Sequence, residues 1–89
     1  MKEAYLEVTY RHGRPLAAYL YLPRQGRAKS MRTRRVEPGL IIDISAKGDA
    51  IGIEITAPAV VTLAVLNRVL REFGCAPIRR ADLAPLRAA

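Results

Sequence analysis

Apolar and polar side chains alternate along most of the stretch from Ala4 to Thr56. Leu6, Val8 and Tyr10 alternate with Tyr5, Glu7 and Thr9, the period of two of a half-buried strand. Arg11-His12-Gly13-Arg14 follows, and His-Gly suits a tight hairpin turn because both residues accept a positive φ. A second strand is predicted from Leu16 to Leu22. Ala18, Leu20 and Leu22 point one way, and Ala17, Tyr19 and Tyr21 the other. Pro23 to Ala28 is a polar connection. Met31 to Glu37 reads as a third strand, its pattern weakened by Arg32, Arg34 and Arg35. Pro38-Gly39 is a turn in which Pro fixes one φ and Gly takes a positive one. Leu40, Ile42 and Ile44 then alternate with Ile41, Asp43 and Ser45 in a fourth strand. After Lys47-Gly48-Asp49, Ile51, Ile53 and Ile55 alternate with Gly52, Glu54 and Thr56 in a fifth. Both of the last two are rich in β-branched Ile.

The period then changes. A helix is predicted over residues 57–74, with Thr56 as N-cap and Pro58 in the first turn, where its missing N–H costs nothing. Leu63, Leu66, Leu70 and Phe73 share one face, and Asn67, Arg68, Arg71 and Glu72 form the polar one. Gly74 stands where a C′ glycine ends a helix. A second stripe, Val61, Val65 and Val69, admits two readings: a helix edge deep against the sheet, or a face for self-association. Residues 75–89 carry Pro77 and Pro85 and read as an irregular tail.

These elements make residues 1–89 a single α+β domain. An antiparallel β-sheet of four to five strands is expected to carry one C-terminal helix packed on one face. Leu6, Val8, Leu20, Ile42, Ile44, Ile53 and Ile55 belong to the covered face. Tyr5, Tyr19, Tyr21, Ile41, Asp43 and Glu54 belong to the other.

Composition narrows the chemistry. The chain has 89 residues, of which 51% are hydrophobic, enough to fold and too few for more than one domain. No apolar run approaches the ~20 residues of a membrane span, and the N-terminus has no signal-peptide core. A cytoplasmic protein is expected, with no membrane association. Cys75 is the only cysteine, so no internal disulfide and no Cys-based zinc site can form. Neither a metal nor a cofactor is expected.

Three candidates for catalysis fare poorly. His12 lies between arginines that disfavour its charged form, and no carboxylate is near in sequence. Asp43 and Glu54 on adjacent strands could form an acid–base pair, but outward polar positions on a sheet explain them as well. Cys75 follows a helix exit, where nothing lowers a thiol pKa. The chain reads as no enzyme.

Charge is the stronger signal. The net charge is +7, and Arg11, Arg14, Arg24, Arg27, Lys29, Arg32, Arg34 and Arg35 form a stretch without one acidic residue. Its arginines suit bidentate contact with phosphate or carboxylate. The strip Arg24, Arg27, Lys29, Arg32, Arg34 and Arg35 is therefore a candidate contact for nucleic acid or an acidic partner, with Tyr19 and Tyr21 as stacking surfaces. Charge on an edge strand also blocks sheet-to-sheet aggregation, which accounts for the strip equally well.

The run Val36-Glu37-Pro38-Gly39-Leu40-Ile41-Ile42-Asp43-Ile44, then Lys47-Gly48 and Ile51-Gly52-Ile53-Glu54-Ile55, resembles a small uncharacterised bacterial family, domain of unknown function 2283. Tyr19 matches the second strand of that family's first hairpin, and the core resemblance covers about Tyr5 to Ile55. Pro58 to Leu86 looks like the extension of longer members. The family's aspartates around the first turn are missing: Arg11 follows Tyr10, and Leu16 stands where the second would fall. Some members lie beside small toxin-like ribonuclease proteins, so the resemblance implies an antitoxin-like role with a toxin-like protein partner.

The leading expectation is a non-catalytic protein-binding module that self-associates as a homodimer. The alternative is a nucleic-acid-binding module using the strip from Arg24 to Arg35.

Overall fold

The computed structural model describes residues 3–23 and 29–87. Five strands form one antiparallel sheet: β1 (Tyr5–Arg11), β2 (Arg14–Tyr21), β3 (Ser30–Glu37), β4 (Leu40–Ser45) and β5 (Ala50–Ile55). Their order across the sheet is β1-β2-β5-β4-β3. The β1–β2 hairpin turns at His12 and Gly13, with φ of 53° and 77°. Both being positive is what a two-residue hairpin loop demands. Gly39 and Gly48 take φ of 84° and 89° in the β3–β4 and β4–β5 turns, as the Pro-Gly and Lys-Gly-Asp signals predict. β5 lies beside β2, so the first hairpin is joined to the β3-β4-β5 meander along its last strand.

The helical structure of the described residues serves one face. Ala18, Leu20, Leu22, Leu40, Ile42, Ile44, Ile53 and Ile55 supply the sheet's half of the core. A 3-10 turn (Pro58–Val60) leads to α1 (Leu63–Glu72), whose Leu66, Val69 and Leu70 supply the other half. The α+β class and the helix against one face follow the sequence pattern.

Three expectations about the helical part need correction. First, Thr56 caps nothing. Pro58 starts the 3-10 turn, Val61 returns to extended backbone, and the N-cap is Thr62, whose Oγ1 accepts from the Val65 N–H at 3.2 Å. The extended Val61 is what drops its side chain into the core. Second, of the two readings of the valine stripe, the self-association face gives way to the packed edge: Val61 and Val69 are 2% and 1% exposed and Val65 is half-buried.

Third, the tail is structured. A 3-10 turn (Arg80–Leu83) runs into a short helix, α2 (Ala84–Arg87), and buries Ile78, Leu83 and Leu86 in the common core. Asn67, predicted on the polar face of α1, is the clasp. Its Oδ1 accepts from the Ile78 N–H at 2.8 Å, and its Nδ2 donates to the Ile78 carbonyl at 3.1 Å. Tyr10 donates to the Pro85 carbonyl at 2.9 Å. Arg87 donates to the carbonyls of Pro58 and Val61.

α1 ends as Gly74 predicts. With Gly74 at φ 72°, the Gly74 N–H reaches the Arg71 carbonyl at 3.0 Å and the Cys75 N–H reaches that of Leu70 at 2.8 Å. This is the paired closure of a Schellman motif.

Candidate functional site

The face turned away from the helices is built from two cross-strand rows. One runs Glu7–Tyr19–Glu54–Ile41–Arg35 from β1 to β3, and the next runs Tyr5–Tyr21–Gly52–Asp43–Thr33. No helix among the described residues lies over them.

Tyr5 and Tyr21 are directly opposed and stack, their ring centroids 4.5 Å apart at 13°. Tyr19 meets Tyr21 edge-on at 4.7 Å and 66°. Both arrangements are favourable for aromatic pairs. Tyr21 also donates to Glu7 Oε1 at 3.0 Å. Tyr19 lies diagonally over β5 and donates to Asp43 Oδ2 at 2.5 Å. Its path requires Gly52, because a Cβ there would collide with the Tyr19 hydroxyl and ring. Gly52 therefore works as a bare stretch of central strand on which a neighbouring ring rests. The face is thus a preset tyrosine surface with Glu7, Asp43 and Glu54 among its rings and Arg35 at its β3 edge.

The sequence candidates divide. Tyr19 and Tyr21 stand on this face, as predicted. The described part of the basic strip does not gather beside them. Arg24 and Arg27 lie outside the described residues. Lys29 precedes β3 and is exposed. Arg32 and Arg34 pair with Ile44 and Ile42 and so belong to the helix side, where the Arg34 guanidinium lies 5.8 Å from the Phe73 ring centroid. Arg35 alone of β3's arginines shares the tyrosine face. Of the strip's described residues only Arg35 shares the face of Tyr19 and Tyr21, whose hydroxyls are held by the carboxylates of Asp43 and Glu7.

Asp43 and Glu54 are on adjacent strands of the same face but in different rows, opposite Gly52 and Ile41. They are not the directly opposed pair that acid–base work suggested, and Asp43 holds the Tyr19 hydroxyl. His12 sits in the hairpin turn beside Arg11 and Arg14, lining an open concavity with Pro15 and Leu16. Burial first, then the charge of Asp49, pushes the Cys75 thiol pKa up. That is the wrong direction for a nucleophile at neutral pH. Among the described residues, no three His, Cys, Asp or Glu side chains are grouped to hold a metal, and no helix is long and apolar enough to cross a membrane.

The hydroxyl bridge and its glycine lie inside a recognisable segment. Residues 17–57 match the family model described as Protein of unknown function (DUF2283). The DUF2283 match runs from within β2 through β5 to the residues just after it. It leaves out β1, so it begins later than the resemblance read from Tyr5 onward, and it stops short of α1 and the tail. Tyr19, Asp43, Gly52 and Glu54 all fall within it. No curated protein and no solved structure matches the chain.

Two features escaped the sequence reading. Alternation alone gives Gly52 no role, although a lone Gly inside a strand pattern signals close approach by a neighbour. Glu7 was placed on the outward positions of the first strand without its Tyr21 partner.

Proposed function

We propose that this chain is a non-catalytic protein-binding module that self-associates through the uncovered face of its sheet. One observation carries this reading: Tyr5, Tyr19 and Tyr21 pack ring against ring and share one sheet face with Ile41, ordered by their own hydrogen bonds, with the helices of the described residues on the opposite side. A sheet face of this kind is commonly covered by another layer. Tyrosine is also enriched at protein interfaces, where a rigid ring contributes area at little entropic cost. The order already present in the Tyr5–Tyr21 stack and the Tyr19–Asp43 bond lowers the cost of docking further.

Sedimentation velocity over a range of concentrations tests the reading. A mass that rises from one chain to two is expected, and Ile41→Lys should hold the protein at one chain while its far-UV circular dichroism is unchanged. A wild-type protein that stays monomeric at high micromolar concentration overturns self-association.

A further inference from the structure

The charges on the tyrosine face are arranged asymmetrically. Within the row Glu7–Tyr19–Glu54–Ile41–Arg35, the negative end lies on edge strand β1 and the positive end on edge strand β3, with β5 at the centre. Two such faces can meet about a two-fold axis in the plane between them, in two aligned ways. An axis perpendicular to the strands sets each strand over its own copy. Glu7 then meets Glu7, Arg35 meets Arg35 and Tyr19 meets Tyr19. An axis parallel to the strands over β5 reverses the row. Glu7 then meets the second copy's Arg35 at both ends, and Tyr19 meets Ile41. In that arrangement only Glu54, at the axis, faces its own kind.

We infer that the occupant of this face is a second copy of the chain, docked about a two-fold axis parallel to the strands, with Glu7 of each copy paired to Arg35 of the other. This rests on the self-association proposed above and adds its orientation. Charge complementarity selects it, since one arrangement makes two opposite-charge contacts and the other makes none. Aligned packing is also the ordinary way for two twisted sheets to stack. Glu7 accepts from the Tyr21 hydroxyl, so its carboxylate is held in place for a partner.

The test is sedimentation equilibrium of the full chain and four variants at low salt, with circular dichroism as a check on folding. Arg35→Glu and Glu7→Arg should each raise the dimer dissociation constant about tenfold or more. The double variant, which exchanges the two charges, should return it close to the wild-type value. Glu54→Gln, which removes the like-charge contact at the axis, should lower it. If the wild type dimerises but neither single variant weakens it, or the double variant is weaker than both, the orientation is wrong and self-association stands. If Glu54→Gln weakens the dimer, the axis does not pass over β5. A monomeric wild type overturns both the orientation and the reading beneath it.

Discussion

The Tyr19 hydroxyl donates to Asp43 across two strand boundaries, passing over the bare backbone of Gly52 on the strand between them. Three residues on three strands are thereby tied to one another, each by a different property: a donor, an acceptor and the absence of a side chain. Gly52→Ala places a methyl group where the ring lies. It should cost about 1–3 kcal/mol, the usual penalty of overpacking, seen as a lower urea midpoint. Tyr19→Ala in the Gly52→Ala background should recover part of the loss. If the two changes add without recovery, the contact between them is not what makes Gly52 necessary.

Tyr19→Phe leaves the ring over Gly52 and removes only the donor. Because the acceptor is a half-buried carboxylate group, a loss of roughly 1–2 kcal/mol is expected. Asp43→Asn should cost a similar amount and add little to Tyr19→Phe in a double-mutant cycle. Full additivity would mean that the bond contributes nothing.

Asn67→Ala leaves the N–H and the carbonyl of Ile78 without their partners. The expected cost is about 1–3 kcal/mol, and the segment beyond Cys75 should become sensitive to limited proteolysis before the sheet does. Asn67→Asp keeps the acceptor and loses the donor, so it should fall between the wild type and Asn67→Ala. Equal protease resistance in all three would show that the clasp does not hold the tail.

Cys75 links stability to pH. Its thiol pKa is raised in the folded protein, by burial and then by Asp49. The folded state therefore holds the thiol proton where the unfolded chain has lost it. This contribution is fully present below the unfolded thiol pKa of about 8.5 and is lost as pH rises beyond it through the folded value. Denaturant midpoints should decline with pH above that point, and Cys75→Ala should reduce the decline. Alkylation of the native thiol at neutral pH should be slow compared with the unfolded chain. Rapid native alkylation would contradict the shift.

Binding to single-stranded RNA or DNA should not involve the tyrosines. Any association with the arginines should weaken as salt rises, by roughly 0.7 log units per phosphate contact for each log unit of salt. Tyr19→Ala and Tyr21→Ala should leave it unchanged, because Glu7, Asp43 and Glu54 surround those rings. A loss on Tyr21→Ala equal to that on Arg35→Ala would restore the nucleic-acid reading.

The strands and turns were legible because their signals are local. Ile42, Ile44, Ile53 and Ile55 alternate cleanly, and Gly13, Gly39, Gly48 and Gly74 each stand where a positive φ is needed. The start of α1 was misplaced because Thr56-Ala57-Pro58 offers the same capping chemistry as Thr62, six residues early. Burial of Val61 decided between them, and burial is a tertiary fact. The tail was missed because Ile78, Leu83 and Leu86 follow no single period and are interrupted by Pro85. The tyrosine face was half legible. Its membership follows from alternation, but Tyr19 reaches Asp43 only because β2 lies beside β5, a pairing that no local signal announces.

The placement of the tail in the core bears on the order in which the chain takes shape during synthesis. Ile78, Leu83 and Leu86 close the same cluster that β2, β4 and β5 open, and they leave the ribosome last among the described core residues. Until they emerge, the nascent sheet has an incomplete cover over Leu20, Ile42 and Ile53. Closure of the core therefore waits on the segment after α1, and until that segment docks, the exposed arginines of the β3 edge are what opposes pairing of the half-covered sheet with another chain.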